Sequence, residues 1–292
     1  MRDYWLTQEI LKGIGFAYIA LTLLALALAL WLPKRWWGKL VAVAVVIGIF
    51  SILPRQAQKE IARDQVKADE FKVRYDKAKA LFDERCKTAG EKIYMTVDSV
   101  EGVLLMNIRA DNKAANRANP NWPDAALPDE AGGDDFIRHF LYWEHNPDKL
   151  NGRGYLNANA ERSVSKGYKY VEVIQPDSTV IQYTLDKSDS TKLSPLKESK
   201  PKARYAVGFV NLIDPEDRNH WIAGTVITIT DTRTDEVIAR RQSYSFEPGL
   251  GSIAGFRSPW GFAVTCPRLL SWHERYPTRF FIDQILKPIQ EV

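Results

Sequence analysis

The chain has 292 residues, of which 45% are hydrophobic and 26% charged, and its formal net charge is +4. Residues 1–54 hold five basic and two acidic residues, whereas the rest of the chain holds 35 basic and 34 acidic residues. The part after residue 54 is therefore nearly neutral and is large enough for one domain with a substantial core. A neutral domain lacks the basic surface of nucleic-acid-binding proteins, so we predict no nucleic-acid partner.

Two apolar runs lie close together near the N-terminus. The first, 14–32, contains no charged residue and is long enough to cross a bilayer as a helix of about 20 residues. The second, 40–53, is shorter, and Pro54 ends it or marks its exit. A second apolar run also argues against a cleaved signal peptide. We therefore predict that residues 1–54 form a two-helix membrane anchor that contacts the lipid bilayer through residues 14–54.

The turn between the two runs is basic and aromatic. It reads PKRWWGK over residues 33–39 and extends the second run to a spanning length if its tryptophans and last lysine lie at the interface. Short loops rich in Lys and Arg stay in the cytoplasm, which places the rest of the chain on the outer face. Four basic residues between 55 and 67 favour the opposite orientation. We prefer the outer face.

Residues 55–89 are charged at nearly every turn and contain neither Gly nor Pro. Apolar residues recur there at steps of three, four and seven, which predicts a long amphipathic helix that stops before Gly90. We treat residues 55–90 as a juxtamembrane helix that packs on its own domain. A coiled-coil oligomerisation stalk is the alternative, but its heptads are not sustained.

The hydrophobic period changes to two after Gly90, which predicts strands. The predicted strands are 92–97, 102–108, 168–175, 179–186, 205–213, 221–230 and 236–246. Hairpins are predicted for 168–175 with 179–186 and for 221–230 with 236–246. Short helices are predicted at 136–145 and 279–289. We therefore expect an α+β fold in which residues 91–292 form a mostly antiparallel sheet domain with a C-terminal helix. Polar or Gly-rich loops are predicted at 109–135, 187–204 and 247–267.

The chain has two cysteines, Cys86 and Cys266, and both follow the anchor. Two cysteines in an extracytoplasmic domain suggest one disulfide. Two unrelated buried thiols are the alternative. Neither cysteine has the spacing of a zinc site, so we expect no metal there.

The pattern of titratable residues does not indicate catalysis. His139 and His145 are six apart, which does not put two imidazoles on one helical face. The glycines of 249–255 lack the spacing of a phosphate-binding loop. The acidic residues of 214–217 are better explained as a solvated turn. We predict no catalytic residue, metal or cofactor, and no enzyme activity; an unrecognised active site is the alternative.

Several tryptophans lie in or beside predicted loops. Trp and Arg often anchor protein interfaces, so we take Trp122, Trp143, Trp260 and Arg257 as candidate partner-binding residues. The loops 109–135 and 247–267 would carry them. The alternative is that the tryptophans fill the core.

Four stretches of the last quarter carry a resemblance to a known family. They are 217–224 (DRNHWIAG), 231–241 (DTRTDEVIARR), 258–260 (SPW) and 265–267 (TCP). The chain resembles a family of uncharacterised proteobacterial envelope proteins, some of them similar to immunity proteins encoded beside secreted antibacterial effectors. Relatives tend to have Gly where Asp235 stands. The resemblance implies a bacterial envelope setting and transfers no catalytic residue.

Together these observations predict a bacterial inner-membrane protein whose domain faces the periplasm. The first hypothesis is a protein-binding module, with an immunity protein that neutralises a secreted antibacterial effector as its specific form. The second is a structural or assembly subunit of an envelope complex. The oligomeric state and the partner are left open.

Overall fold

The computed structural model shows N-terminal helices followed by a mostly antiparallel sheet domain with a C-terminal helix, which confirms the predicted α+β class. It describes residues 2–110, 119–128, 130–145, 153–154, 164–186, 192–198, 200–250, 258–268 and 277–289. The chain divides into two compact units, Met1–Val73 and Arg74–Val292. The division falls inside the helix that we predicted as a juxtamembrane segment.

The first unit is built from α1 (Arg2–Trp31), α2 (Trp36–Phe50) and the first part of α3 (Ile52–Cys86). Pro54 does not end a helix, because it is the third residue of α3. Proline is tolerated there since the first N–H groups of a helix have no intrahelical partner.

One helical run of the described chain is apolar and long enough to cross a membrane. This run extends over Trp36–Cys86, and none of its apolar window is buried within the protein. Phe16–Trp31 is also apolar but shorter. An apolar helix that the protein itself does not bury could anchor in a membrane.

The amphipathic helix is longer at its start and shorter at its end than predicted. α3 has 35 residues and closes at Cys86. Residues 87–89 continue as a tighter turn, in which the Ala89 N–H donates to the Cys86 carbonyl at 3.2 Å. Gly90, with a φ of 132°, then opens the first strand.

Nine strands form one sheet within the described residues, in the order β1-β12-β11-β10-β3-β7-β8-β9, with β13 paired to β12. These strands are β1 (Gly90–Ile93), β3 (Gly102–Leu105), β7 (Tyr170–Ile174), β8 (Val180–Leu185), β9 (Leu193–Glu198), β10 (Tyr205–Leu212), β11 (Ile222–Asp231), β12 (Glu236–Phe246) and β13 (Val264–Cys266). The pairs β3–β10 and β3–β7 are parallel, and the other pairs are antiparallel.

Two small sheets accompany the main one. β2 (Val97–Val100) pairs with β14 (Leu286–Pro288). β4 (Tyr142–His145) pairs with β5 (Arg153–Gly154) and β6 (Val164–Lys166). The predicted strand 92–97 is therefore wrong as one element, because β1 ends at Ile93 and β2 begins a separate pairing.

Both predicted hairpins are present. The β7–β8 turn includes Ser178 with a φ of 66°, and the β11–β12 turn includes Asp235 with a φ of 58°. The left-handed region favours Gly, Asn and Asp, because longer side chains clash there with the backbone.

The main core lies between one face of the sheet and two helices, α4 (Asp134–Leu141) and α6 (Pro277–Ile285). A third short helix, α5 (Pro215–Asn219), precedes β11. The largest buried apolar side chains of this core are Phe136, Phe140, Phe281, Leu105, Leu127, Ile137, Leu141, Ile282 and Ile285. Each such side chain stabilises the fold by about 1.5–3 kcal/mol.

The start and the end of α4 and of α6 differ from prediction. The helix predicted at 136–145 ends at Leu141 and continues as β4. The helix predicted at 279–289 begins at Pro277 and ends before β14, where the Tyr168 hydroxyl donates to the Leu286 carbonyl at 2.6 Å.

The predicted polar loop 187–204 contains an unpredicted strand, β9, at one edge of the main sheet. Within the described chain β9 pairs with β8 alone. Pro195 and the exposed Lys197 lie within this edge strand. A proline and a charge make the edge a poor template for pairing with another strand.

We predict that His139 makes the fold less stable in mild acid. Burial, with the charges of Arg279 and Arg138, lowers the pKa of His139 from 6.5 to about 3. The unfolded chain therefore binds a proton below pH 6.5 that the folded chain excludes. The free energy of unfolding should fall as pH drops below 6.5, with a slope that approaches about 1.4 kcal/mol per pH unit.

Urea unfolding of the full chain in detergent, followed by tryptophan fluorescence between pH 5 and 8, measures this slope. His139→Gln, which does not titrate, should remove that slope, and the difference between the two proteins isolates the His139 contribution. Parallel pH profiles for the two proteins would contradict the assignment.

Candidate functional site

The last turns of α3 pack on β11 and β12 through apolar side chains, a contact that we call the α3 clasp. The Phe82 ring stacks on Phe246 with 5.2 Å between ring centroids, and Tyr75 lies 5.9 Å from the same ring. Ala78 and Ile222 are buried beside them. The predicted amphipathic stripe therefore packs on its own domain over this part of the helix.

Charged groups line the clasp. The Arg85 Nε donates to both Asp217 carboxylate oxygens, at 3.0 and 3.2 Å, and the Arg85 Nη2 lies 3.6 Å from Asp214. This hydrogen bond raises the pKa of Arg85. Burial raises the pKa of Asp217, because it outweighs the opposite effect of Arg85. Two of the three acidic residues that we explained as a solvated turn, Asp214 and Asp217, therefore hold α3, and Asp217 is buried, whereas Glu216 is exposed.

A second arginine fixes the start of the clasp. The Arg74 Nη2 donates to the Asn219 carbonyl at 2.6 Å, and its guanidinium lies 4.2 Å from the Trp221 ring centroid. Trp221 has a φ of 60°, a conformation that bulky residues rarely adopt. The buried indole and its cation contact offset the cost of this backbone.

A disulfide closes the clasp. Cys86, the last residue of α3, is bonded to Cys266 on β13, with 5.7 Å between their Cα atoms and a sequence separation of 180. The disulfide hypothesis thus agrees with the structure, and an oxidising compartment suits such a bond.

Two of the candidate partner-binding tryptophans lie in the core. Trp260 is 0% exposed and Trp122 is 4% exposed, and both pack with Ala223. The Trp260 Nε1–H donates to the Pro120 carbonyl at 3.1 Å. Neither side chain exposes more than 4% of its surface, so the structure places both where the core alternative expects them.

The other two candidate partner-binding residues are Trp143 and Arg257. Trp143 lies on β4, whose backbone pairs with β5 and β6. Arg257 lies outside the described residues. Their role in partner binding stays a prediction.

An interior ion cluster, which the sequence did not reveal, holds the described part of the loop 109–135 on the sheet. Both the Arg109 Nη1 and the Asn211 Nδ2 donate to Asp124 Oδ1 at 2.8 Å. The Arg109 guanidinium also lies 4.2 Å from the Phe209 ring centroid. Asp124 belongs to a 3₁₀ helix, Pro123–Ala126, that covers the sheet end.

The cluster extends to the start of α6. The Thr278 N–H donates to Glu130 Oε2 at 2.9 Å, so Glu130 caps this helix from the loop. Arg241 lies 3.0 Å from Glu91 and donates from Nε to the Ser243 hydroxyl at 3.2 Å.

The pKa values of the cluster follow from its burial. Burial raises the pKa of Glu130 against the lowering effect of Arg109, and burial lowers the pKa of Arg241 against Glu91. Arg109, Asp124, Glu130 and Arg241 are all buried. Their charges are directed at one another inside the domain, so the arrangement fixes the loop and presents no charge to a ligand at the surface.

Four exposed apolar side chains lie just after β3, on β10 and just after β10, and we call them the apolar patch: Met106, Ile108, Val210 and Ile213. Val210 is 64% exposed, Ile213 58% and Met106 49%. Met106 lies beside Gly208, whose added Cβ would lie 3.4 Å from it. Asn107 keeps the strands together here, because its side-chain amide exchanges two hydrogen bonds with the Phe209 backbone at 2.8 and 3.0 Å.

The sequence contains a pattern that indicates exposed apolar residues on this strand. Residues 205–213 read YAVGFVNLI, so both faces of the strand are apolar over most of its length. One face enters the core through Val207, whereas the other carries Val210 into solvent. An apolar strand face that the domain does not cover is typical of an interaction surface.

In the part of the chain that the structure describes, no group of three or more His, Cys, Asp or Glu side chains could hold a metal ion. No protein-family model, curated protein or solved structure matches the chain at a significant level.

We predict that the disulfide contributes strongly to stability. Cys86→Ala with Cys266→Ala should lower the free energy of unfolding by about 5 kcal/mol, because the unfolded chain gains the entropy of a large opened loop. Urea unfolding of the full chain in detergent measures the change, and the parent chain under dithiothreitol serves as the matched control. A loss below about 1 kcal/mol would show that the bond constrains the unfolded chain little.

Proposed function

We propose that the protein is a membrane-anchored binding module of the bacterial inner membrane, whose domain lies in the periplasm and occupies a partner protein. The exposed apolar patch is the observation that carries the binding role. Water contact with these exposed apolar side chains is unfavourable, and a partner that covers them gains their burial. In its specific form the proposal is an immunity protein that neutralises a secreted antibacterial effector.

The location is supported by two features. The helical run Trp36–Cys86 is apolar enough to anchor in a membrane, and the same run ends at a disulfide. Disulfides persist in oxidising compartments such as the periplasm. The basic turn 33–39 favours a cytoplasmic position for itself, which leaves the domain outside.

The immunity form is supported by the resemblance of 217–224 and 231–241 to envelope proteins similar to immunity proteins. The first stretch includes Asp217 and Trp221, which hold the α3 clasp. These residues stabilise the fold. The resemblance therefore supports a bacterial envelope location and common ancestry, whereas the apolar patch supports partner binding.

We predict that a charge in the patch abolishes partner binding. Val210→Glu in the full chain should weaken binding to the secreted product of the neighbouring gene by at least about ten-fold, because a carboxylate would be desolvated at the interface. Binding is measured on the detergent-purified protein by calorimetry, and function by survival of cells that receive the effector.

Val237→Glu is the matched control, since Val237 is also an exposed strand valine but lies outside the patch, on β12. It should bind and protect as the parent chain does. Equal losses in both variants would place the binding site elsewhere, and a parent chain that neither binds nor protects would remove the immunity proposal.

We also predict the topology of the chain in the cell. An alkaline phosphatase fused after Val292 should be active, because that enzyme requires the oxidising periplasm, whereas a green fluorescent protein fused there through the general secretion route should be dark. The reverse pattern would place the domain in the cytoplasm and contradict the proposed location.

A structural or assembly subunit of an envelope complex is the second candidate. It is supported by the first-unit part of α3, where Ile61, Val66 and Val73 are exposed. Exposed apolar residues on one helix can mediate self-association. Light scattering of the detergent-solubilised chain separates the candidates, because a defined oligomer favours the subunit and a monomer favours the binding module.

A further inference from the structure

The turn between α1 and α2 has an unusual surface. It contains Lys34 and Arg35, Lys39 follows in the first turn of α2, and residues 31–39 include no acidic residue. None of the three forms an ion pair with any residue that the structure describes, and the side chain of Arg35 does not cap α2. Three cations without an ion-pair partner among the described residues give this short segment a positive potential that attracts anions.

Tryptophans surround these cations. Trp31 is 80% exposed, Trp37 68% and Trp36 63%, and the last two rings lie 4.7 Å apart. Large amphipathic rings are costly in bulk water, and they are enriched where a membrane meets water. The turn thus combines the two side-chain types that membrane interfaces favour.

The turn also marks one end of an apolar hairpin. α1 and α2 also contact each other at the end away from the turn. There the Tyr18 hydroxyl donates to the Phe50 carbonyl, and the Tyr18 and Phe50 ring centroids are 5.6 Å apart. Leu28 and Leu30 on α1 and Val41 on α2 are exposed next to the turn. Cations at the border of such a surface face the headgroup layer when the apolar part enters the hydrocarbon layer.

We propose that residues 31–39 form a binding site for anionic phospholipid headgroups; this inference rests on the proposed membrane anchorage. The apolar surfaces on both sides favour a lipid over an acidic protein, because one lipid supplies the anion and the chains that cover the leucines. Each cation near an anionic surface strengthens association roughly five-fold.

The test uses the full chain in vesicles of phosphatidylcholine and phosphatidylglycerol, with either lipid spin-labelled in turn. The motion-restricted fraction in electron paramagnetic resonance gives the relative association constant of the two lipids. The parent chain should prefer phosphatidylglycerol several-fold, and 0.5 M salt should reduce the preference, since it shortens the Debye length to about 4–5 Å.

Lys34→Gln with Arg35→Gln and Lys39→Gln should bring the relative constant close to one. The matched control removes the same charge after α2, as Arg55→Gln with Lys59→Gln and Arg63→Gln, and should keep the preference. Circular dichroism checks that both variants retain helix content.

The possible outcomes distinguish the lipid headgroup site from the membrane anchor. A parent chain that floats with the vesicles but shows no preference overturns the lipid site and leaves the anchor intact. Loss of preference in the control and not in the turn variant moves the site to residues 55–63 and also overturns it. A chain that does not float with the vesicles overturns both the anchor and the site.

Discussion

The structure of the second unit depends on one buried contact, the packing of the final turns of α3 on β11 and β12. Phe82 and Phe246 form its centre, and the Arg85–Asp217 pair and the disulfide lie at its margin. The apolar part supplies most of the stability, because burial of an aromatic side chain outweighs the net contribution of an ion pair whose burial also desolvates its charges. The charged groups then fix which turn of the helix meets which strand.

The sequence predicted the parts of this arrangement that follow from local periodicity. The amphipathic stripe of α3, the β7–β8 and β11–β12 hairpins and the strand Glu236–Phe246 each have a pattern that only one regular structure buries well. The pairing of Cys86 with Cys266 could be proposed because the chain has no other cysteine.

The parts that the sequence did not predict depend on contacts between distant residues. β9 is polar and contains Pro195, so its pattern resembles a loop, and pairing with β8 makes it a strand. Trp122 and Trp260 lie in irregular segments, where periodicity does not separate a core residue from an interface residue. Arg109, Asp124 and Glu130 resemble surface charges until the fold buries them together. The apolar patch was visible as a two-sided apolar strand, but which face stays open is decided by the helices that cover the other face.

The edge strand β9 has a consequence for encounters between copies of the domain. A high local concentration of copies favours strand exchange and ordered polymers between exposed sheet margins. Pro195 lacks the N–H that a neighbour's strand would require, and Lys197 repels its own counterpart. This margin of the sheet therefore opposes pairing between neighbouring copies of the domain.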